Sequence, residues 1–437
     1  MIRPVAAVAG PSDLRRLHRD QPSRYPFLLQ STTRGGELGR YDILFAFPGD
    51  TIVAGDEGPF LDRLDGAWQE QRSQLSAGEL PFTGGWFLYL GYELAGEIEP
   101  ALALARDSVL PTAFAVRCAT AMVFDHVEQA CWLVQESPCA DVERTIRADL
   151  EVSRGPTVGD ACDNAAVVEE DAAMFLAAVE RAREYIAAGD VYQVNLSRAW
   201  TADSPQGFCA DEIYAALCES NPGPFAGMAR WGDIEIISSS PERLLRVRDG
   251  IATTRPIAGT RPRANDSEAD GSLSRELITH PKERAEHVML IDLERNDLGR
   301  ICEPGSVDVD EMMVLESYAH VHHIVSNVRG KLRPDVTPGE AIAAVFPGGT
   351  ITGCPKIRSM QIIAELEHSP RGPYTGSFGY LNLDGSLDIN ILIRTIVKAG
   401  SEVTFRAGSG IVADSQPVAE LEETRTKAAG MLRAVLR

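Results

Sequence analysis

The segment that most restricts what this chain can fold into lies near its C-terminus, where strand-like runs succeed one another with room only for tight turns. Residues 377–383 and 387–397 are apolar-rich and flank Asp384-Gly385; Ala399-Gly400 separates them from a third run, 403–406, which exits into Gly408-Ser409-Gly410. Asp-Gly between two such runs is a hairpin turn, so the flanking strands pair antiparallel. A period of two recurs at YQVNLS (192–197), with Tyr192, Val194 and Leu196 on one side and Gln193, Asn195 and Ser197 on the other. Upstream, Phe175, Val179, Ala182 and Ile186 recur at helical spacing and predict a helix that ends near Gly189. YDILFAF (41–47) and GGWFLYLG (84–91) read as further strands bounded by turn residues. Helices and antiparallel strands thus alternate through the whole chain, and the class is α+β. Its 437 residues would usually suggest two or three domains, but only 151–169 reads as a surface connection. The expectation is an N-terminal region, 1–150, and a second region, 170–437, in one interlocked body. No repeat of 20–50 residues is visible, which disfavours a solenoid or propeller.

Composition narrows the partners. Lys and Arg total 42 against 63 Asp and Glu, a net charge of −21. Such a field repels nucleic-acid backbones and anionic lipid, so neither is expected as a partner. No apolar run approaches the roughly 18 residues of a spanning helix, and MIRPVAAVAG lacks the pattern of a secretory signal. The eight cysteines contain no CxxC and no zinc-finger spacing, a pattern expected of a reduced, cytoplasmic protein.

Several groupings could carry chemistry. Glu283 and Glu286 follow Pro281 at a spacing of three, which on a helix puts them on one face. Glu420, Glu423 and Lys427 lie along one stripe of a final helix expected to open at Ser415. Taken singly, each unit reads as a solvated acidic face; facing each other, the two would suit a hard cation with oxygen ligands, Mg2+ foremost. FPGGTITGCPK (346–356) is a glycine-rich turn without the order of a nucleotide-binding loop. SSSPER (238–243) places Glu242 at the end of a strand, and TRPIAGTRPR (254–263) follows it. His322 and His323 sit on a strand-like run and must face opposite sides of it. No GxSxG or other acyl-transfer order occurs.

Taken together, SSSPERLL (238–245), TRPIAGTRPR (254–263), KERAEHVMLIDLERNDLGR (282–300), HHIVS (322–326), FPGGTITGCPKIRSM (346–360) and GSGIVADSQPVAELEET (408–424) resemble the chorismate-utilising enzymes. That family includes the anthranilate, aminodeoxychorismate, isochorismate and salicylate synthases. The resemblance is ordered from about residue 170 to the end and weaker through the first 150. It implies one large body of two packed antiparallel sheets surrounded by helices, with the active-site cleft between them. It also implies Mg2+ ligands at Glu286 and Glu423, with Glu283 and Glu420 beside them. Lys427 matches a lysine of that site, Glu242 the acid that protonates the departing C4 hydroxyl, and His323 a histidine beside the ring. Thr260, Thr350, Tyr374, Arg394, Gly408 and Gly410 match positions that hold the substrate. Chorismate carries two carboxylates, so local cations must overcome the repulsion of a −21 chain.

Within the family the residues divide. Aminodeoxychorismate synthases commonly carry a lysine after Pro-Ile, where this chain has Ala258, the anthranilate-synthase pattern. YQVNL (192–196), RYDIL (40–44) and GGWFLYLGYEL (84–94) resemble the aminodeoxychorismate branch instead, and LLQS (28–31) departs from the tryptophan-pocket string LLES. Isochorismate synthases favour a lysine where Gln193 stands. The balance implies component I of an aminodeoxychorismate synthase, aminating chorismate at C4 for para-aminobenzoate and folate synthesis. Anthranilate formation at C2 is the alternative, and a non-catalytic glutaminase-binding subunit the second. Nothing resembles a glutaminase, so ammonia is expected from solution or from a separate glutaminase subunit.

Overall fold

Short turns and alternating apolar residues leave antiparallel pairing as the way to satisfy the backbone, and every strand pairing among the described residues is antiparallel. The computed structural model describes all residues except 1, 6, 7, 9, 34–36, 56, 73–79, 153–165, 205, 206, 265, 318–320 and 437. Within them, strands gather into one sheet of twelve and one of ten, with helices around both. The α+β class holds. No helix among the described residues is long and apolar enough to cross a membrane.

Each sheet draws strands from both ends of the sequence. Phe27–Gln30 pairs with Phe225–Trp231 in the larger sheet, and Gly85–Leu90 pairs with Ser377–Asn382 in the smaller. All six residues of Gly85–Leu90 are buried, so this strand is covered on both faces. The two sheets meet through aromatic rings: Phe27 of the larger stacks on Phe87 of the smaller at 3.9 Å, and Phe45 meets Phe87 edge-on at 5.5 Å. Such contacts add to the apolar area that they bury.

Two passages carry the chain between the sheets. Ile234–Ser240 lies in the larger sheet and Arg243–Arg248 in the smaller; Leu387–Asn390 lies in the smaller and Thr395–Ala399 in the larger. The passages are tied together. Ser240 Oγ donates to the Ile391 carbonyl, the Ile391 N–H donates to the Glu242 carbonyl at 3.0 Å, and the Glu242 N–H donates to Ser240 Oγ at 3.2 Å.

The second passage corrects the expectation of one strand over 387–397. The apolar run is two strands in different sheets, and the backbone turns at Arg394, a non-glycine residue with φ of 52°. Three further expectations change. Gly408-Ser409-Gly410 is not a strand exit but part of the strand Glu402–Ile411, paired along its length with Gln193–Asp203. Most of the presumed surface connection at 151–169 lies outside the described residues, but Ala166–Glu169 is a strand that pairs with Trp200–Asp203. The last helix is Pro417–Val435, and Ser415 does not open it, because its Oγ accepts the Val412 N–H in the preceding turn.

A buried ion cluster braces the larger sheet. Glu367 accepts from Arg371 at 2.7 and 2.9 Å, from Arg406 at 3.2 Å and from the Ser197 N–H at 2.7 Å. Burial pushes its pKa up, but the two guanidinium groups outweigh that and hold the carboxyl below the usual range. Arg371 also donates to the carbonyls of Asn195 at 2.8 Å and Ile351 at 3.1 Å. Replacing Glu367 with Leu would leave two buried cations unpaired. The expected loss is about 3–5 kcal/mol in urea unfolding, and a loss below about 1 kcal/mol would show the cluster to be dispensable.

Candidate active site

The passage Ser240–Arg243 sets Glu242 where the two sheets diverge. Its side chain is 5% exposed, and Thr350 Oγ1 donates to its Oε1 at 2.9 Å. Thr350 belongs to a single 3-10 turn, Gly349–Ile351, held from behind by Arg371. Burial, with repulsion from Glu294, pushes the Glu242 carboxyl up to about 8; Thr350 and Lys427 oppose that rise. It is therefore largely protonated at neutral pH.

Arg394, on the other passage, faces Glu242 closely enough for their charges to interact, and its guanidinium makes no ion pair among the described residues. Burial lowers its pKa, and the Glu242 charge opposes that. His323 lies on the strand Val321–Lys331 of the smaller sheet, 3% exposed; burial and the Arg394 charge bring its pKa down to about 4, so its ring is neutral at neutral pH. His322 faces the other side of that strand and meets Asp270 at 3.0 Å and Ser317 at 2.7 Å. The two histidines diverge as their spacing requires, and both are buried.

The larger sheet supplies a second wall. Lys427 Nζ donates to the Gly408 carbonyl at 3.0 Å and pairs with Glu423 at 2.8 Å. A Cβ on Gly408 would lie 2.6 Å from the Tyr374 hydroxyl and 2.8 Å from Asn195 Oδ1, and a Cβ on Gly410 would strike the Gln193 amide. Both positions need glycine for this close approach. Burial raises the Tyr374 pKa to about 12, so its hydroxyl stays a donor. These contacts and charge interactions link Glu242, Thr350, Arg394, His323, Tyr374, Gly408, Gly410 and Lys427.

Ala258 is 8% exposed on the strand Ile257–Pro262, opposite Ile324. Gly259, with φ of +66°, bulges the strand, so that Thr260 pairs through its backbone with His323; the Thr260 side chain lies outside the described part of the structure. The glutamates are more dispersed. Glu283 accepts from Arg261 at 3.1 Å, Glu286 lies half-buried on the same helix, Glu420 accepts from Ser409, and Glu423 pairs with Lys427. Their oxygen donors suit Mg2+, but among the described residues no group of three or more acids, histidines or cysteines is gathered to hold a metal ion. The donor chemistry fits Mg2+.

Several residues here escaped the sequence reading. Glu294 and Asp297 are buried on the helix Pro281–Gly299, where Lys356 Nζ donates to Asp297 at 2.5 Å and to the Val345 carbonyl at 3.0 Å. Burial raises both carboxyl pKa values, and Lys356 opposes it. Charges at a spacing of three within an otherwise apolar stripe, Leu290, Leu293 and Leu298, were the available signal. Asn195 Oδ1 and Gln193 Oε1 are buried and have no hydrogen-bond partner among the described residues, a state that costs about 1–3 kcal/mol per acceptor. Apart from this site, a cavity of about 440 Å³ opens between the sheets, lined by Leu29 and Gln30 of the LLQS string together with Arg40, Phe225 and Arg243.

Comparison with known proteins agrees with this arrangement. The family model described as chorismate binding enzyme matches residues 15–433. The chain is 39% identical to aminodeoxychorismate synthase component 1 of Bacillus subtilis, over 97% of this chain and 94% of that one. It is 43% identical to anthranilate synthase component 1 of Thermus thermophilus, over 81% of this chain and 78% of that one. The crystal structure of anthranilate synthase component I from Streptococcus pneumoniae superposes with a TM-score of 0.81 at 33% identity, covering 91% of this chain and 93% of that one. Relatives of both names stand at similar distance, and what they share identifies the group: this chain belongs to the chorismate binding enzyme family.

Proposed function

We propose that this chain is component I of an aminodeoxychorismate synthase, replacing the C4 hydroxyl of chorismate with an amino group from ammonia. The observation that carries a substitution reaction is Glu242, a buried carboxylic acid kept protonated near neutral pH and oriented by Thr350. Thr350 Oγ1 and the Ile257 N–H both donate to this carboxyl group and fix its orientation. A hydroxide is a poor leaving group, and a positioned acid typically accelerates its departure by about 10²–10⁴-fold. Arg394 would take one substrate carboxylate, and Tyr374 would donate to the same substrate. Support for C4 comes from the YQVNL, RYDIL and GGWFLYLGYEL strings, which resemble the aminodeoxychorismate branch. Ala258 favours the second reading, anthranilate formation at C2.

The step balances without a covalent enzyme adduct, which Ala258 could not form. The nitrogen lone pair makes the C–N bond, the C4–O bond breaks with its electrons, and the departing oxygen takes the Glu242 proton and leaves as water. The new ammonium group returns one proton to the Glu242 carboxylate. Mg2+, on this reading, would be held by Glu286 and Glu423 with Glu283 and Glu420 nearby, and would supply positive charge for a carboxylate. Glu423 would then have to exchange Lys427 for the metal, and Glu283 would have to release Arg261.

Three outcomes are expected. Chorismate, Mg2+ and ammonium with the purified chain should give the C4 amine, which a lyase converts to para-aminobenzoate; glutamine should serve only after a separate glutaminase subunit is added. Anthranilate as the main product would assign the enzyme to C2 amination, and no loss of chorismate would leave only a glutaminase-binding role. At constant free ammonia, kcat/KM for chorismate should be flat below neutrality and fall by about tenfold per pH unit above about pH 8, as Glu242 ionises. Glu242→Gln should abolish that limb along with most of the rate; a wild-type profile still flat at pH 9 would remove Glu242 as the acid. Glu286→Gln or Glu423→Gln should each cut turnover by at least about tenfold at ordinary Mg2+, with the unfolding midpoint unchanged; near-full turnover in either would refute the metal assignment.

A further inference from the structure

The segment that carries Tyr374 into the site, Arg371 to Gly376, is neither helix nor strand. Its internal bonds, from the Tyr374 N–H to the Arg371 carbonyl at 3.1 Å and from the Gly376 N–H to the Pro373 carbonyl at 2.9 Å, close turns without fixing the loop to anything else. Its far end is tied to the passage that bears Arg394. There the Thr375 N–H donates to the Leu392 carbonyl at 2.7 Å, and the Leu392 N–H donates to the Gly376 carbonyl at 2.8 Å.

The near end is held by the N-terminal region. The strand Gly85–Leu90 ends opposite Ser377, so the 3-10 turn that follows it, Tyr92–Leu94, meets the loop. Glu93 is 7% exposed there. Its Oε1 accepts the Arg371 N–H at 2.7 Å, and the Gly372 N–H is shared between Oε1 and Oε2 at 3.2 and 3.1 Å. The Tyr92 N–H donates in turn to the Gly372 carbonyl at 2.9 Å. Gly372 has φ of +56°, a conformation that lets successive N–H groups converge on one acceptor. The Arg371 guanidinium is bound to Glu367, but several rotatable bonds separate it from its own backbone, so it cannot set the height of the loop. Tyr374 lies between the two anchors, and its hydroxyl packs against Gly408.

We propose that Glu93 is a positioning residue for the substrate. By holding the N–H groups of Arg371 and Gly372 it fixes where the Tyr374 hydroxyl stands. The inference rests on the reading of Tyr374 as a donor to chorismate. Glu93 does not itself touch the substrate. Its Oε1 alone can take both N–H groups, so the role requires an acceptor at this reach and not a charge. The acid, Glu242, belongs to the other passage and is oriented independently by Thr350.

The test is the Kd for chorismate, measured by calorimetry on the full chain with Mg2+ and without ammonium, so that the site of amination does not enter. Glu93→Ala should raise Kd by about tenfold. Glu93→Asp stays polar but falls one methylene short, and should raise it by about fivefold. Glu93→Gln keeps an oxygen for both N–H groups and should stay within about twofold of wild type. A role in stability alone would not single out Tyr374, so a double-mutant cycle separates the two. Tyr374→Phe should weaken binding by about fivefold by itself, and by no more than about twofold when added to Glu93→Asp. The inference fails if Glu93→Asp binds like wild type, if Glu93→Gln binds as weakly as Glu93→Asp, or if the two single effects multiply in the double variant. Wild-type binding by Tyr374→Phe would instead remove the substrate role of Tyr374, and the inference with it. A wild-type chain that does not bind chorismate would overturn the functional reading as a whole.

Discussion

The site depends on one constraint: the chain changes sheets twice, and the two passages must lie side by side. Hydrogen bonds among Ser240, Glu242 and Ile391 hold them in register. Because Glu242 and Arg394 sit on these passages, the acid and the guanidinium are carried on backbone segments that are tied to each other. Passages pinned to each other by backbone hydrogen bonds lose little to reorientation when substrate arrives. Arg394 shows what this placement costs, because a non-glycine residue at φ of 52° is held there only by its surroundings.

The second layer of support is electrostatic. A chain of −21 repels a dianion at long range, yet the groups around Glu242 are arranged so that local charge favours it. The carboxyl of Glu242 is largely protonated, His323 is neutral, and Arg394 makes no ion pair among the described residues. Behind this wall, Glu367 takes up the charge of Arg371 and Arg406, so those cations stiffen the larger sheet instead of competing for substrate. Lys356 does the same for Asp297 beneath the Gly349–Ile351 turn.

How much of this the sequence disclosed varied with the kind of signal. The Asp384-Gly385 hairpin and the helix that ends near Gly189 were legible, because turn chemistry and a helical period leave local marks. The break in the run 387–397 was not. A change of sheet leaves the apolar pattern intact and is visible only in the backbone at Arg394. The alternation in YQVNLS suggested one buried side and one wet side, yet Asn195 and Ser197 are buried because the helix Lys356–Leu366 and the Glu367–Arg371 segment cover them. Glu294 and Asp297 were missed for the opposite reason: as charged residues they read as solvated, although the apolar stripe of Leu290, Leu293 and Leu298 around them is buried. The functional positions themselves emerged from ordered motifs; periodicity alone would have located strands and left their ends unassigned.

The pairing of Gly85–Leu90 with Ser377–Asn382 has a consequence for biosynthesis. A strand buried on both faces emerges from the ribosome long before its partner exists. Closing the smaller sheet must wait for nearly the whole chain, and contacts so distant in sequence form slowly. Through that interval GWFLYL is an uncharged, β-prone segment with open edges, the kind of surface that draws chaperones and promotes association between nascent chains. Yield during synthesis would then be governed less by the stability of the finished protein than by how long this one strand stays single.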